Sequence, residues 1–299
     1  MIKIANAPCS WGVLEFEMDG EPAGYGQVLD EIRQTGYRGT ELGDFGFLPT
    51  EPDLLRREIS KRDLTLLGAF IPVYLADARA HQDGIEEALM AARLLAAAAG
   101  PTPFIVLSDD NCRDERRAFN AGRILPEHGL TDAQWLVFAE GAEAVARAVM
   151  VETGLRTVFH HHCGGYVETP QEVDRLLAST DPRLLGLCLD TGHYTLGGGD
   201  PIAALNQHVD RVWHVHLKDC HPGIAARAQR EGWDYLTAVQ HGVFCELGKG
   251  SVDFPAFLQR LNFHGYDGWA VVEQDVLAGM GSPKESAQRN RDYLRAIGL

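Results

Sequence analysis

Apolar residues recur along the chain in short β-prone runs, at 2–7, 38–43, 64–70, 103–108, 155–162, 184–190, 211–217 and 268–273, and this rhythm predicts eight strands. Segments of helical period lie between them. The clearest carries Trp135, Phe138, Ala142, Val145 and Val149 every three or four residues, a single stripe suited to covering a sheet. Thr131 with Gln134, Thr169-Pro170 with Glu172, and Ser282-Pro283 with Glu285 each offer an N-cap hydroxyl and a partner three residues on. Asp200-Pro201 marks a further start, and Gly100-Pro101 closes the Ala-rich helix that begins near Asp83.

Strands that alternate with helices call for a parallel sheet with right-handed crossovers, and eight such units can close into a barrel with no exposed edge. The expected fold is therefore α/β, a (β/α)8 TIM barrel, with residues 1–299 as one domain. A doubly wound open sheet is the rival. No G-x-G-x-x-G follows the first strand and no G-x-x-x-x-G-K-[ST] occurs, so neither dinucleotide nor P-loop chemistry is supported, and Gly197-Gly198-Gly199 reads as a loop. There is no Pro/Ser-rich linker, low-complexity tract or internal repeat beyond the β/α rhythm. Two long connections, 109–130 and 218–251, fall on the side where strands end, placed to shape or cover a pocket.

Composition narrows the function classes. With 45% hydrophobic and 23% charged residues, the chain has the apolar material for a large core. A formal net charge of −15 repels phosphodiester backbones and anionic lipid, so nucleic acid and membrane surfaces are poor partners. The opening residues lack a signal h-region and no apolar run approaches a membrane span, which makes the cytoplasm the expected location. Six cysteines without a C-x-x-C pair read as reduced structural thiols. Self-association into a homo-oligomer is left open.

The chemistry lies in what terminates the runs: Asn6, Glu41, Ser108-Asp109, His160 to His162, Asp190, His216 and Glu273. In a barrel every strand opens its carboxyl end onto one face, so these distant residues converge. One polar residue at a strand end is ordinarily a boundary or a cap. His160, Asp190, His216 and Glu273 at four successive strand ends are better explained by a shared metal site. Two imidazoles and two carboxylates suit Mn²⁺, Co²⁺, Fe²⁺ or Zn²⁺, with Mg²⁺ a weaker fit, whereas a structural zinc site would include thiolates. Cys163 and Cys220 are unpaired and read as fillers. His193, three residues after Asp190, faces the metal or is a loop histidine bonded to a carbonyl. Lys218 and Asp219 form a surface ion pair, or Lys218 aims at an oxyanion.

Leu189-Asp190-Thr191-Gly192-His193, His214-Val215-His216-Leu217-Lys218-Asp219 and Val271-Val272-Glu273 resemble the xylose-isomerase-like barrels, which include sugar phosphate isomerases, ketose 3-epimerases and endonuclease IV. Within them, Gly39-Thr40-Glu41-Leu42-Gly43, His160-His161-His162, Gly242-Val243-Phe244 and the stretch 181–219 look most like the inosose dehydratase branch of inositol catabolism. The resemblance implies a divalent metal, Mn²⁺ or Co²⁺ first, held by His160, Asp190, His216 and Glu273 and acting as a Lewis acid on a ketone. It also implies a small-molecule keto-cyclitol or keto-sugar substrate, 2-keto-myo-inositol foremost. His162, His193, Lys218 and Glu41 are then candidates for proton transfer and hydroxyl binding, with Asn6 and Trp11 bordering the substrate.

Epimerases of this group keep a metal-binding glutamate where His160 stands. Replacing it removes one of two paired bases, which points to a carbon–oxygen lyase and leaves keto-sugar isomerisation or epimerisation as the runner-up. Two segments depart from the dehydratase pattern, 6–12 and 245–250, and both should border the pocket. An endonuclease-like repair enzyme would need a basic surface, against 42 acidic and 27 basic residues. A non-catalytic sugar-binding protein would leave the four ligands unexplained.

Overall fold

The computed structural model describes residues 2–13, 23–100, 102–276 and 279–299. Its strands are β1 (Lys3–Asn6), β2 (Gly39–Thr40), β3 (Thr65–Leu66), β4 (Gly68–Val73), β5 (Phe104–Asp109), β6 (Arg156–His160), β7 (Leu185–Asp190), β8 (Val212–Leu217), β9 (Asp219–Cys220), β10 (Phe244–Cys245) and β11 (Trp269–Val272). Its helices are α1 (Tyr25–Gln34), α2 (Pro52–Ser60), α3 (His81–Ala99), α4 (Glu115–Phe119), α5 (Asp132–Thr153), α6 (Pro170–Ser179), α7 (Thr191–Leu196), α8 (Pro201–His208), α9 (Pro222–Glu231), α10 (Tyr235–Gln240), α11 (Phe254–Phe263) and α12 (Pro283–Ala296).

Seven strands form one parallel sheet in the order β1-β11-β8-β7-β6-β5-β4. The two edges meet through β2. Arg38 N donates to Ile4 O at 3.1 Å on one side, and Leu42 N donates to Gly68 O at 2.8 Å on the other. β2 pairs in parallel with β3, and Leu67 O accepts from Phe104 N at 2.8 Å, so β3 and β4 are one stave that changes neighbours at Leu67. The ring therefore has the expected eight staves.

Two boundaries differ from expectation. The run at 38–43 contributes only two paired residues, because Glu41 onward bends into the pocket rim. The run at 64–70 continues past its expected end to Val73. The helix starts behave as expected: Thr131 and Thr169 form full capping boxes, and Ser282 and Asp200 accept from Glu285 N and Ile202 N. Gly100, at φ 77°, ends α3; Pro101 lies outside the described residues.

Inside and outside are packed differently. Ala5, Ala7, Leu67 and Val271, with Val106, Val158 and Cys188, form small separate clusters within the ring, while the large core lies between ring and helices. The α5 stripe Trp135, Phe138, Ala142, Val145 and Val149 is buried in that outer core. At the amino end, Trp213 fills the space above Gly186, where a Cβ would stand 2.3 Å from the indole. Arg156 lies 4.2 Å from the Trp213 ring and 5.2 Å from Phe104, so a cation closes that end over aromatic faces.

The two long connections meet over the carboxyl end. They share an apolar cluster that includes Ala121, Tyr235, Val239, Val243 and Phe244 together with Cys163 and Leu196. Asp219 organises the second connection: its carboxylate accepts from the backbone N–H of Cys220, Gly248, Gly250 and Val252. A Cβ at Gly250 would stand 2.1 Å from Asp219 Oδ1, which explains the glycine.

Candidate active site

β6, β7 and β8 deliver His160, Asp190 and His216 to the carboxyl end of the ring, and Glu273 follows β11. One donor atom from each lies within 4.8 Å of the others. Asp190 Oδ2 is 3.8 Å from His160 Nε2 and 4.0 Å from His216 Nδ1, and Glu273 Oε1 is 3.2 Å from His216 Nδ1. The two oxygens of Asp190 divide the work. Oδ1 caps α7 by accepting from His193 N at 2.7 Å, whereas Oδ2 is buried without a hydrogen-bond partner. His216 is built the same way. Its Nε2 donates to Glu41 Oε1 at 3.1 Å, which leaves the Nδ1 lone pair, also without a hydrogen bond, facing the quartet. Buried donor atoms aimed at one point and left unsatisfied are what a divalent cation would satisfy.

Glu41 sits beneath the quartet. The same Oε1 accepts from His214 Nε2 at 2.7 Å, and although burial opposes ionisation, His216 and His214 lower the Glu41 pKa to about 2. Burial likewise opposes charge on His216, but Cys188, Glu273 and Glu41 push its pKa well up. Glu273 is depressed by His216 and Lys218 against its burial. The site thus gathers negative charge that a bound cation would balance in place of protons.

Lys218 is turned inward. Its Nζ lies 3.3 Å from Glu273 Oε2, 3.3 Å from Asp275 Oδ1 and 3.3 Å from His193 Nε2, and despite burial Asp275 and Glu273 raise its pKa. A surface pair with Asp219 is excluded, because Asp219 faces the other way into its four N–H donors. His193 faces this cluster too: its Nδ1 accepts from Cys163 N at 3.2 Å, and burial lowers its pKa well below 6.5. His162 lines the pocket, with Nδ1 at 2.7 Å from Cys163 O and Nε2 at 3.4 Å from the Tyr235 hydroxyl.

A recess that opens to solvent lies above the quartet. It is lined by the polar His160, His162, Lys218, Glu273 and Asp275 and by the apolar Phe70, Ala7, Pro8 and Val13. Two expected residues are elsewhere. Asn6 alternates with Ala5 and Ala7, which face the ring interior and the pocket, so its amide points outward beside Tyr37. Trp11 is buried in the outer core and donates Nε1–H to Glu31 Oε2 at 2.7 Å, so this aromatic pins α1 and does not border the substrate.

Several neighbours of the quartet carried no separate signal in the sequence. His161 Nε2 accepts from Asp190 N at 3.1 Å and fixes that strand end. Asp275 follows Glu273 at the strand period of two, a spacing that could have found it. Between them, Gln274 is tied down by Ser10, Ser286 and Asn290. Tyr235 comes from the second long connection, where no motif marks it.

The xylose isomerase-like TIM barrel family matches residues 29–297. The chain is 34% identical to an inosose dehydratase of Bacillus licheniformis over 96% of this chain and 93% of that one. It is 32% identical to an inosose dehydratase of Lactiplantibacillus plantarum over 98% and 95%. Among solved structures, an L-ribulose 3-epimerase superposes with a TM-score of 0.72 at 16% identity, covering 99% of this chain and 94% of that one. A probable 3-DHS dehydratase from Bacillus anthracis gives 0.71 at 14% identity, covering 99% of both. At these identities the structural likeness concerns the fold.

Proposed function

The chain belongs to the xylose isomerase-like TIM barrel family, and from that premise we propose that it is a metal-dependent dehydratase that removes water from 2-keto-myo-inositol or a related keto-cyclitol. The observation that carries this reading is the donor at the end of β6. Position 160 supplies an imidazole nitrogen to the quartet where the epimerases of this group keep a glutamate, so one of an epimerase's two paired bases is missing. The likeness to inosose dehydratases over nearly the whole chain supports the same reading.

His160, Asp190, His216 and Glu273 would hold the cation, Mn²⁺ or Co²⁺ first, with Zn²⁺, Fe²⁺ or Mg²⁺ as alternatives. When bound, it supplies Lewis-acid polarisation of the substrate ketone. Lys218, kept cationic by Asp275 and Glu273, presents an ammonium to the oxyanion that develops as the neighbouring C–H proton leaves. His162 is a neutral imidazole suited to taking that proton at Nε2, whereas His193, whose Nδ1 already accepts from Cys163 N, is left to bind a substrate hydroxyl through Nε2. Glu41 acts from below by holding the His216 tautomer. Phe70 and Val13 keep water from the reacting face.

We assign residues 1–299 to one catalytic domain working in the cytoplasm on a small-molecule substrate in inositol breakdown. No helix of the described residues is long and apolar enough to cross a membrane. The test is incubation of the Mn²⁺- or Co²⁺-loaded protein with 2-keto-myo-inositol, following the absorbance of the enedione-type product. Turnover is expected, and none with either metal rejects the reading. A keto-sugar isomerase or epimerase is the second reading, which the two carboxylates of the quartet, Asp190 and Glu273, would also serve. It predicts solvent deuterium entering beside the carbonyl with no loss of water.

A further inference from the structure

The second long connection brings one side chain into the pocket that the chemistry above does not use. Tyr235 begins α10, is 2% exposed, and packs in the apolar cluster that joins the two connections. It lines the recess beside His160, His162 and Lys218. Asp234 caps α10 by accepting from Thr237 N at 2.8 Å, which fixes where the helix and its first side chain begin. The phenol packs edge-on to His162, with ring centroids 5.4 Å apart at 63°. The tyrosine is therefore held by its backbone, its ring and its neighbours.

The proton on the phenol is placed by His162. His162 Nδ1 lies 2.7 Å from Cys163 O and 3.1 Å from the Asn111 amide; the carbonyl oxygen, the nearer of the two, can only accept, so Nδ1 carries the hydrogen and Nε2 presents a lone pair. The Tyr235 hydroxyl donates to Nε2 at 3.4 Å, a long bond that a hydroxyl can exchange by rotating toward a better acceptor. Elimination of hydroxide needs a proton donor on the departing oxygen. Lys218 is engaged by Glu273 and Asp275, and Glu41 by two imidazoles. Tyr235 supplies a neutral O–H from the lid side of the recess.

We propose that Tyr235 is the acid that protonates the departing hydroxyl in the β-elimination put forward above, a role that rests on the dehydratase reading. The C–H bond beside the ketone breaks and its proton passes to the site's base. The C–O bond of the next carbon breaks, and the departing hydroxide takes the phenolic proton and leaves as water. The base then returns its proton to the tyrosinate, so the cycle closes with the loss of one water and no net change in the protein.

The test separates removal of the carbon-bound proton from departure of the hydroxyl. Full-length wild type and Tyr235→Phe, both loaded with Mn²⁺, are incubated with 2-keto-myo-inositol in D₂O. Product is followed by absorbance and deuterium in the recovered ketone by mass spectrometry, and a Mn²⁺-dependent rise in unfolding temperature verifies that the variant's site is assembled. Elimination is expected to fall about 100-fold in the variant while deuterium wash-in continues and KM moves less than about 3-fold. Parallel loss of wash-in and elimination, or unchanged elimination, would overturn the assignment. A wild type inert in both measurements would instead sink the dehydratase reading, and this assignment with it.

Discussion

Arg117 offers the sharpest stability test, because its charge is fully buried and its partners are all defined. Nη1 and Nη2 pair with the two oxygens of Glu172 at 2.8 and 2.9 Å, and Nε donates to Gly165 O at 2.8 Å. Glu172 also accepts from Glu168 N and Thr169 N, so the ion pair joins α4 to the loop that follows His162 and to the capped start of α6. Arg117→Met keeps apolar bulk but strands the carboxylate and the Gly165 carbonyl. Breaking a buried pair costs roughly 3–5 kcal/mol, and the 12% exposure of the Glu172 side chain places this one near 3. For a chain of 299 residues the unfolding entropy is about 0.6 kcal/mol per degree, so the midpoint should fall by about 5 °C. The double variant Arg117→Met/Glu172→Gln removes the stranded charge while a carboxamide oxygen still serves Thr169, and it should recover at least half of the loss. Thermal unfolding followed by circular dichroism at fixed protein concentration reads both. A single variant within about 1 °C of wild type, or a double variant less stable than the single, would refute the account of a pair whose removal exposes an uncompensated charge.

Metal addition should raise the wild-type midpoint, since saturation at 100 times the dissociation constant stabilises by about 2.7 kcal/mol; Asp190→Asn should lose most of that rise in a Mn²⁺ titration, and an undiminished rise would remove Asp190 from the ligand set. Glu168 is raised to about 7 by burial, with Arg117 and the Gly164 and Gly122 N–H groups opposing. Its contribution to stability is therefore present below about pH 4.5 and lost as pH rises through about 7, so the midpoint of wild type relative to Glu168→Gln should decline across that window, and a flat difference would contradict the raised value. Trp11→Phe should lower stability by about 1–3 kcal/mol through the lost bond to Glu31 and leave KM within about 2-fold, whereas a large KM effect would return Trp11 to the substrate.

Much of the site was legible because strand chemistry is local and strand ends are global. His160, Asp190, His216 and Glu273 each end an apolar run, and any closed parallel ring brings such ends together. Asn6 shows the limit. Being at a strand end does not say which way a side chain points, and the period of two sends Asn6 outward and Ala7 inward. Trp11 and Tyr235 show a second limit. Their positions follow from how loops fold back on the barrel, with Trp11 captured by Glu31 and Tyr235 delivered by a helix of an insertion, and neither contact is encoded by spacing.

The narrow stave β2 has a mechanical consequence. Around most of the circumference, neighbouring staves share ladders of four to six paired positions, but β2 pairs with β3 over only Gly39 and Thr40. The ring is therefore an almost complete cylinder with a clasp, and transient opening at the clasp should release the amides of Arg38, Thr65 and Leu67 to solvent deuterium before those of β5 to β7. Glu41 lies immediately beyond that clasp and is bonded to His214 and His216 across the interior. The same carboxylate that sets a ring tautomer is thus a tie rod across the cylinder, and slower exchange at the clasp would report when His216 is locked in place.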